Sequence, residues 1–122
     1  MALVISSAFD AGNIRVVKSE GDTVDLEIVT DHLSDFYQWF HFRLAGAAGR
    51  EITLRITNCA GAAYPNGWPG YKAVMSLDRE EWVRVSGTSY ADGVLTMTFT
   101  PPQDVVWLAY FAPIRWSVTT IW

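Results

Sequence analysis

An all-β antiparallel sandwich of about seven to nine strands is the fold this sequence predicts, and three observations carry the prediction. Apolar and polar residues alternate with period 2 in three segments, each presenting an apolar row to one side and a polar row to the other. Turn-forming residues punctuate the chain at short intervals: Gly12, Gly21, residues 46–49, the 61–70 loop, Asp92-Gly93 and Pro101-Pro102. No stretch carries the period of an amphipathic helix, and short strands at this spacing belong to sandwiches.

Taken in order, residues 13–18 form a first short strand. In 23–29, Val24, Leu26 and Ile28 oppose Asp25 and Glu27. Residues 36–44 read as a longer strand with Phe40, Phe42 and Leu44 inward and Trp39, His41 and Arg43 outward; the aromatic rings on the outward side mark a face that is not fully wet. In 51–57, Ile52, Leu54 and Ile56 oppose Thr53, Arg55 and Thr57. Residues 72–77 and 81–85 are shorter candidates. In 94–100, Leu95, Met97 and Phe99 oppose Thr96, Thr98 and Thr100. Residues 104–111 are apolar on both parities, as in a central strand covered on both sides. The longest irregular segment, 58–71, holds Tyr64-Pro65-Asn66-Gly67-Trp68-Pro69-Gly70-Tyr71, and loops of this length in compact domains are often functional.

A chain of 122 residues without repeat, low-complexity tract or linker fits one domain spanning 1–122. Half the residues are hydrophobic and six are Trp, a surplus that calls for an explanation. The formal net charge of -4 has the wrong sign for gripping phosphates, which argues against nucleic acid as a partner. The only cysteine, Cys59, excludes an intramolecular disulfide and a cysteine metal cage. The start, Met1-Ala2-Leu3-Val4-Ile5-Ser6-Ser7, has no basic n-region and too short an apolar run for a membrane span, so a cytoplasmic protein that avoids membranes is expected.

Catalytic chemistry is hard to assemble from these residues. A hydrolytic zinc site needs three protein ligands, and the chain has two histidines, His32 and His41. His32-Leu33-Ser34-Asp35 is better read as a loop histidine beside a turn. Cys59 at a strand end reads as an inert, half-buried thiol. No nucleophile elbow, dinucleotide turn or phosphate loop is present. A glycosidase pair could be drawn from Asp78 and Glu81, yet Asp78-Arg79-Glu80-Glu81 has the makings of a solvated turn. The chain itself is therefore expected to have no catalytic residue, no metal site and no cofactor. Tyr64, Trp68 and Tyr71 could form a platform on which sugar rings stack, as in a carbohydrate-binding module; alternatively, Pro65, Gly67, Pro69 and Gly70 fold the loop back so that the rings cap the sandwich.

Residues 58–85 run from Asn58-Cys59-Ala60-Gly61 through Trp68-Pro69-Gly70-Tyr71 to Asp78-Arg79-Glu80-Glu81-Trp82. This stretch resembles the amino-terminal domain of cytosolic-type M14 zinc carboxypeptidases, particularly bacterial ones. Phe9-Asp10-Ala11-Gly12-Asn13-Ile14, Gln38-Trp39-Phe40-His41-Phe42, and the run from Asp92-Gly93-Val94-Leu95 to Ala109-Tyr110-Phe111-Ala112-Pro113 match in the same order. Beyond Pro113 the chain departs from the pattern, with Ile114 where a Tyr usually follows.

The resemblance implies a β-sandwich packed against an α/β carboxypeptidase domain in the same parent chain. That second domain, absent from these 122 residues, would hold the zinc and bind the C-terminal tails of peptides or proteins. The present chain is then an accessory domain that supports folding, interdomain packing and the rim of the substrate cleft. Asn58, Tyr64, Asn66 and Trp68 are expected at that rim, and the aromatic loop with Tyr71, together with Trp39 on the outward parity of 36–44, at the interdomain contact. Weak self-association through an uncovered docking face is expected of the isolated chain.

Overall fold

A computed structural model of the chain describes residues 3–8, 12–30, 38–62 and 67–111. Within them lie ten strands: β1 (Val4–Ser6), β2 (Arg15–Glu20), β3 (Thr23–Glu27), β4 (His41–Ala45), β5 (Ile52–Ile56), β6 (Val74–Ser76), β7 (Trp82–Arg84), β8 (Thr88–Ala91), β9 (Val94–Phe99) and β10 (Val105–Ala109). A single 3₁₀ turn, Cys59–Gly61, is the one helical element among the described residues, and no helix there is long and apolar enough to cross a membrane. Each of the eight expected segments overlaps a strand, although in 36–44 the strand begins only at His41 and residues 38–40 are not part of it. The two additional ones are β1, only three residues long, and β8, whose Thr-Ser-Tyr-Ala sequence lacks clean alternation.

The strands form two five-stranded sheets, ordered β1-β4-β10-β6-β7 and β2-β3-β5-β9-β8. Pairing is antiparallel except between β3 and β5, which run parallel from Thr23↔Thr53 to Leu26↔Ile56. Between them in sequence lies β4, which belongs to the first sheet, so the chain returns to the second sheet in the same direction. β10 occupies the centre of the first sheet, as its apolar residues on both parities predict.

The alternating rows meet between the sheets. Phe42, Leu44, Val106 and Leu108 from the first sheet face Val24, Leu26, Ile52, Leu54, Ile56, Leu95 and Met97 from the second, and each is at most 1% exposed. Each fully buried side chain of this kind contributes about 1.5–3 kcal/mol relative to exposure, which makes this interlayer the main source of stability. A one-residue register slip would turn these rows outward.

The two outer faces differ. On the second sheet the outer rows carry Thr23, Asp25, Glu27, Thr53, Arg55, Thr96 and Thr98, and the charges pair locally as Arg55–Asp25 at 2.9 Å, Lys18–Glu20 at 3.2 Å and Arg15–Glu27. Such exposed pairs add about 0–1 kcal/mol each and mark a face made for water. On the first sheet the outer row across β4, β10, β6 and β7 reads Arg43, Trp107, Ser76 and Trp82. Two indoles there replace the threonines of the other face.

Candidate functional site

The 58–71 segment begins at an amide clamp. The Asn58 side chain donates from Nδ2 to the Ile28 carbonyl at 2.9 Å and accepts the Ile28 N–H at Oδ1 at 3.0 Å. It thereby continues the ladder beyond β3, where backbone pairing has ended. The 3₁₀ turn follows, held by the Cys59 N–H on the Gly93 carbonyl at 3.1 Å. At the far end, Trp68-Pro69-Gly70-Tyr71 has the residue pattern of a type II turn: Pro in second place, Gly70 at φ 79° in third, and the Tyr71 N–H on the Trp68 carbonyl at 2.9 Å.

That turn drives Trp68 inward, where it is 0% exposed. Its indole N–H donates to the Cys59 carbonyl at 3.0 Å, satisfying the one polar atom such a ring brings into a core. Tyr71 and Tyr110 meet the indole edge-on at centroid distances of 5.3 and 5.4 Å, and Tyr90 stacks at 6.5 Å and 20°. Tyr71 stacks on Tyr110 at 5.0 Å and donates its hydroxyl to the Tyr110 carbonyl; burial pushes that phenol well above its ordinary range. Trp68 and Tyr71 cap the sandwich, and the enclosed indole of Trp68 offers no open face on which a sugar ring could stack.

The candidate residues therefore fall into separate groups. Trp68 and Tyr71 come together in the cap, and Asn58 anchors its near end. Tyr64 and Asn66 lie outside the described residues. Trp39 belongs to a second cluster: half-buried, its ring lies 4.9 Å from Phe111 and 5.7 Å from His41, and His41 in turn meets Trp82 edge-on at 5.7 Å. Tyr110 and Phe111, 5.5 Å apart, join the two clusters into one aromatic chain from the cap to the outer face of the first sheet. Sequence reasoning missed Tyr90, Tyr110 and Phe111 as members. For Tyr110 and Phe111 the usable signal was the apolar run on both parities of 104–111, which does not reach Tyr90 on β8.

The remaining chemical candidates settle into structural work. Burial pushes the Cys59 thiol up to about 12, so it stays protonated and is a poor nucleophile or ligand near neutral pH. The Asp78 carboxylate accepts the N–H groups of Glu80 at 2.8 Å and Glu81 at 3.0 Å, and these bonds hold its pKa below the usual value. Such a group suits a turn cap and not the proton donor of a glycosidase. In the same turn Ser76 Oγ accepts the Arg79 N–H at 2.7 Å, and the Arg79 guanidinium lies 5.8 Å from the Trp107 ring centroid. Among the described residues no three His, Cys, Asp or Glu side chains converge as a metal-binding group. His41 is buried among aromatic rings, and His32 and Asp35 lie outside the described residues. The donors among the described residues do not fit zinc, and no chemical step on a metal follows from them.

Comparison with known proteins matches the chain to an N-terminal domain and to part of longer proteins. A family model for the cytosolic carboxypeptidase N-terminal domain matches residues 5–111. An uncharacterised Zymomonas mobilis protein is 47% identical over 113 residues, covering 93% of this chain and 30% of that protein. The crystal structure of a metallo-carboxypeptidase from Burkholderia cenocepacia superposes with a TM-score of 0.89 at 43% identity, again over 93% of this chain and 30% of the other. Cytosolic carboxypeptidase 1 of Gallus gallus is 28% identical across 94% of this chain and 12% of its own length. The chain thus spans less than a third of the length of the relatives it matches.

Proposed function

The chain belongs to the cytosolic carboxypeptidase N-terminal domain family, and from that premise we propose that residues 1–122 are the accessory β-sandwich domain of an M14 metallocarboxypeptidase. One observation carries the reading: 93% of this chain superposes on 30% of a metallo-carboxypeptidase, so the relative holds more than twice as much polypeptide outside this domain as within it. The parent enzyme removes C-terminal residues from peptides or proteins in the cytoplasm. Its catalytic domain would hold the zinc, which when bound would supply Lewis-acid polarisation of the scissile carbonyl, and the present chain supplies packing.

In this role Asn58, Trp68 and Tyr71 act on the cleft indirectly, by anchoring both ends of the 58–71 segment. Tyr64 and Asn66, in the middle of that segment, are the rim residues that meet peptide tails, and Trp39 belongs to the interdomain contact. The test is to assay the 122-residue chain and the full-length parent for release of C-terminal residues, with and without zinc. Release by the parent alone, with a higher KM in the parent's Tyr64→Ala variant, is the expected result. Release by the isolated chain overturns the accessory reading.

A further inference from the structure

Resting on that reading, we infer that the catalytic domain docks on the outer face of the first sheet, through Trp39, Trp82, Trp107 and Phe111 together with Arg43 and Arg84. Three features single out this face. The first is composition. Trp107 is flanked across the strands by Arg43 and Ser76, with Trp82 next to Ser76, while His41 lies beneath Trp39 and Trp82. Trp and Arg are the residues enriched where protein interfaces concentrate their binding energy. The opposite face of the molecule, built from threonines and self-paired charges, has nothing comparable.

The second feature is charge. The outward positions of β1, β4, β10, β6 and β7 include no Asp or Glu, and neither Arg43 nor Arg84 enters an ion pair among the described residues. A partner surface with apolar ground and carboxylates opposite these guanidiniums complements the face. The third is chain path. Phe111, 52% exposed, leaves the end of central strand β10 with its ring against Trp39. Phe111 is the last described residue, and in the matched metallo-carboxypeptidase the other 70% of the chain lies outside the domain.

The test is covalent footprinting of the 122-residue chain and of the full-length parent. Labelling of Trp39, Trp82 and Trp107 is expected to fall several-fold in the parent, with Arg55 and Glu27 on the second sheet unchanged. In the parent, Trp82→Glu and Arg84→Glu should restore labelling of Trp107 and split thermal unfolding into separate steps, while Thr53→Glu should do neither. If Trp82→Glu fails to fold, Arg84→Glu on the exposed edge strand carries the comparison alone. Protection of the second sheet in place of the first overturns the docking face and leaves the accessory role intact. Equal labelling everywhere, with the parent unfolding as two independent units, removes both. Dimerisation of the isolated chain that Trp82→Glu abolishes, without protection in the parent, gives the face to a second copy and overturns the proposal.

Discussion

Replacing Trp68 by Ala separates a core indole from a ligand-binding one. The substitution deletes a ring that is 0% exposed, breaks its 3.0 Å hydrogen bond to the Cys59 carbonyl, and removes the surface against which Tyr71, Tyr90 and Tyr110 pack. Buried Trp→Ala changes cost about 3–5 kcal/mol. Against a total near 6–18 kcal/mol, from about 0.05–0.15 kcal/mol per residue, this is a large fraction. At about 2.1 cal/mol/K of unfolding entropy per residue, 4 kcal/mol lowers the melting temperature by roughly 15 °C. Trp68→Phe, which keeps a ring and loses the N–H, should cost about 1–3 kcal/mol, mostly through lost packing and an unsatisfied Cys59 carbonyl. Urea unfolding of the 122-residue chain followed by circular dichroism reads both values. A Trp68→Ala variant within 1 kcal/mol of the parent chain would refute the packing argument and return Trp68 to the surface.

Other consequences follow from the same contacts. The Cys59 thiol, pushed up to about 12 by burial, holds its proton where an unfolded thiol near about 8.5 has lost it, so its contribution to stability is complete below the unfolded value and declines as pH rises from about 9 toward about 12. Urea midpoints at pH 7 and pH 10 should show this decline, and a thiol-specific reagent should react with Cys59 only on unfolding; rapid reaction in the native state refutes the burial. Asn58→Ala removes both bonds to Ile28 and should cost about 1–3 kcal/mol, and Asn58→Asp, which cannot donate to the carbonyl, should not restore it. A Cβ on Gly87 would sit 2.1 Å from the Thr98 carbonyl oxygen, while the Thr98 N–H holds the Gly87 carbonyl at 3.1 Å, so Gly87→Ala should destabilise by about 1–3 kcal/mol; a neutral outcome means that β9 can shift.

The strands were legible because one physical rule, alternation across a half-buried sheet, is written residue by residue in Val24-Asp25-Leu26 and Ile52-Thr53-Leu54. Strand sense was not, since alternation looks the same whichever way a neighbour runs; the parallel pairing of β3 with β5 depends on β4 crossing to the other sheet. The cap was half legible. Pro69-Gly70 announces a turn, but which way it throws Trp68 is decided by the Cys59 carbonyl and the ring of Tyr110, which the sequence separates from Trp68 by 9 and 42 positions. Asn58 was half legible for a related reason. An Asn at a strand end is equally suited to a ligand and to a backbone clamp, and only the position of Ile28 shows that it forms the clamp.

The four tryptophans among the described residues divide along the same line. Trp68 gives its whole area to the interior, where it closes one end of a sandwich whose sheets the alternating rows hold together. Trp39, Trp82 and Trp107 remain half-buried on one outer face, and their counterparts on the other face are threonines. A lone domain gains nothing from that arrangement, because a half-wet indole gains only part of its hydrophobic stabilisation and enlarges an apolar patch that invites association. The asymmetry becomes economical when a second domain covers one face permanently, since the rest of the area is then buried at no cost in solubility. An accessory domain of a larger enzyme meets that condition, and replacing the face with threonines, as Trp82→Thr and Trp107→Thr together, should leave the 122-residue chain folded and more soluble. The same pair of changes should weaken the parent's single-unit unfolding. A double variant that fails to fold as an isolated chain would place these two indoles in the domain's own stability and break the argument.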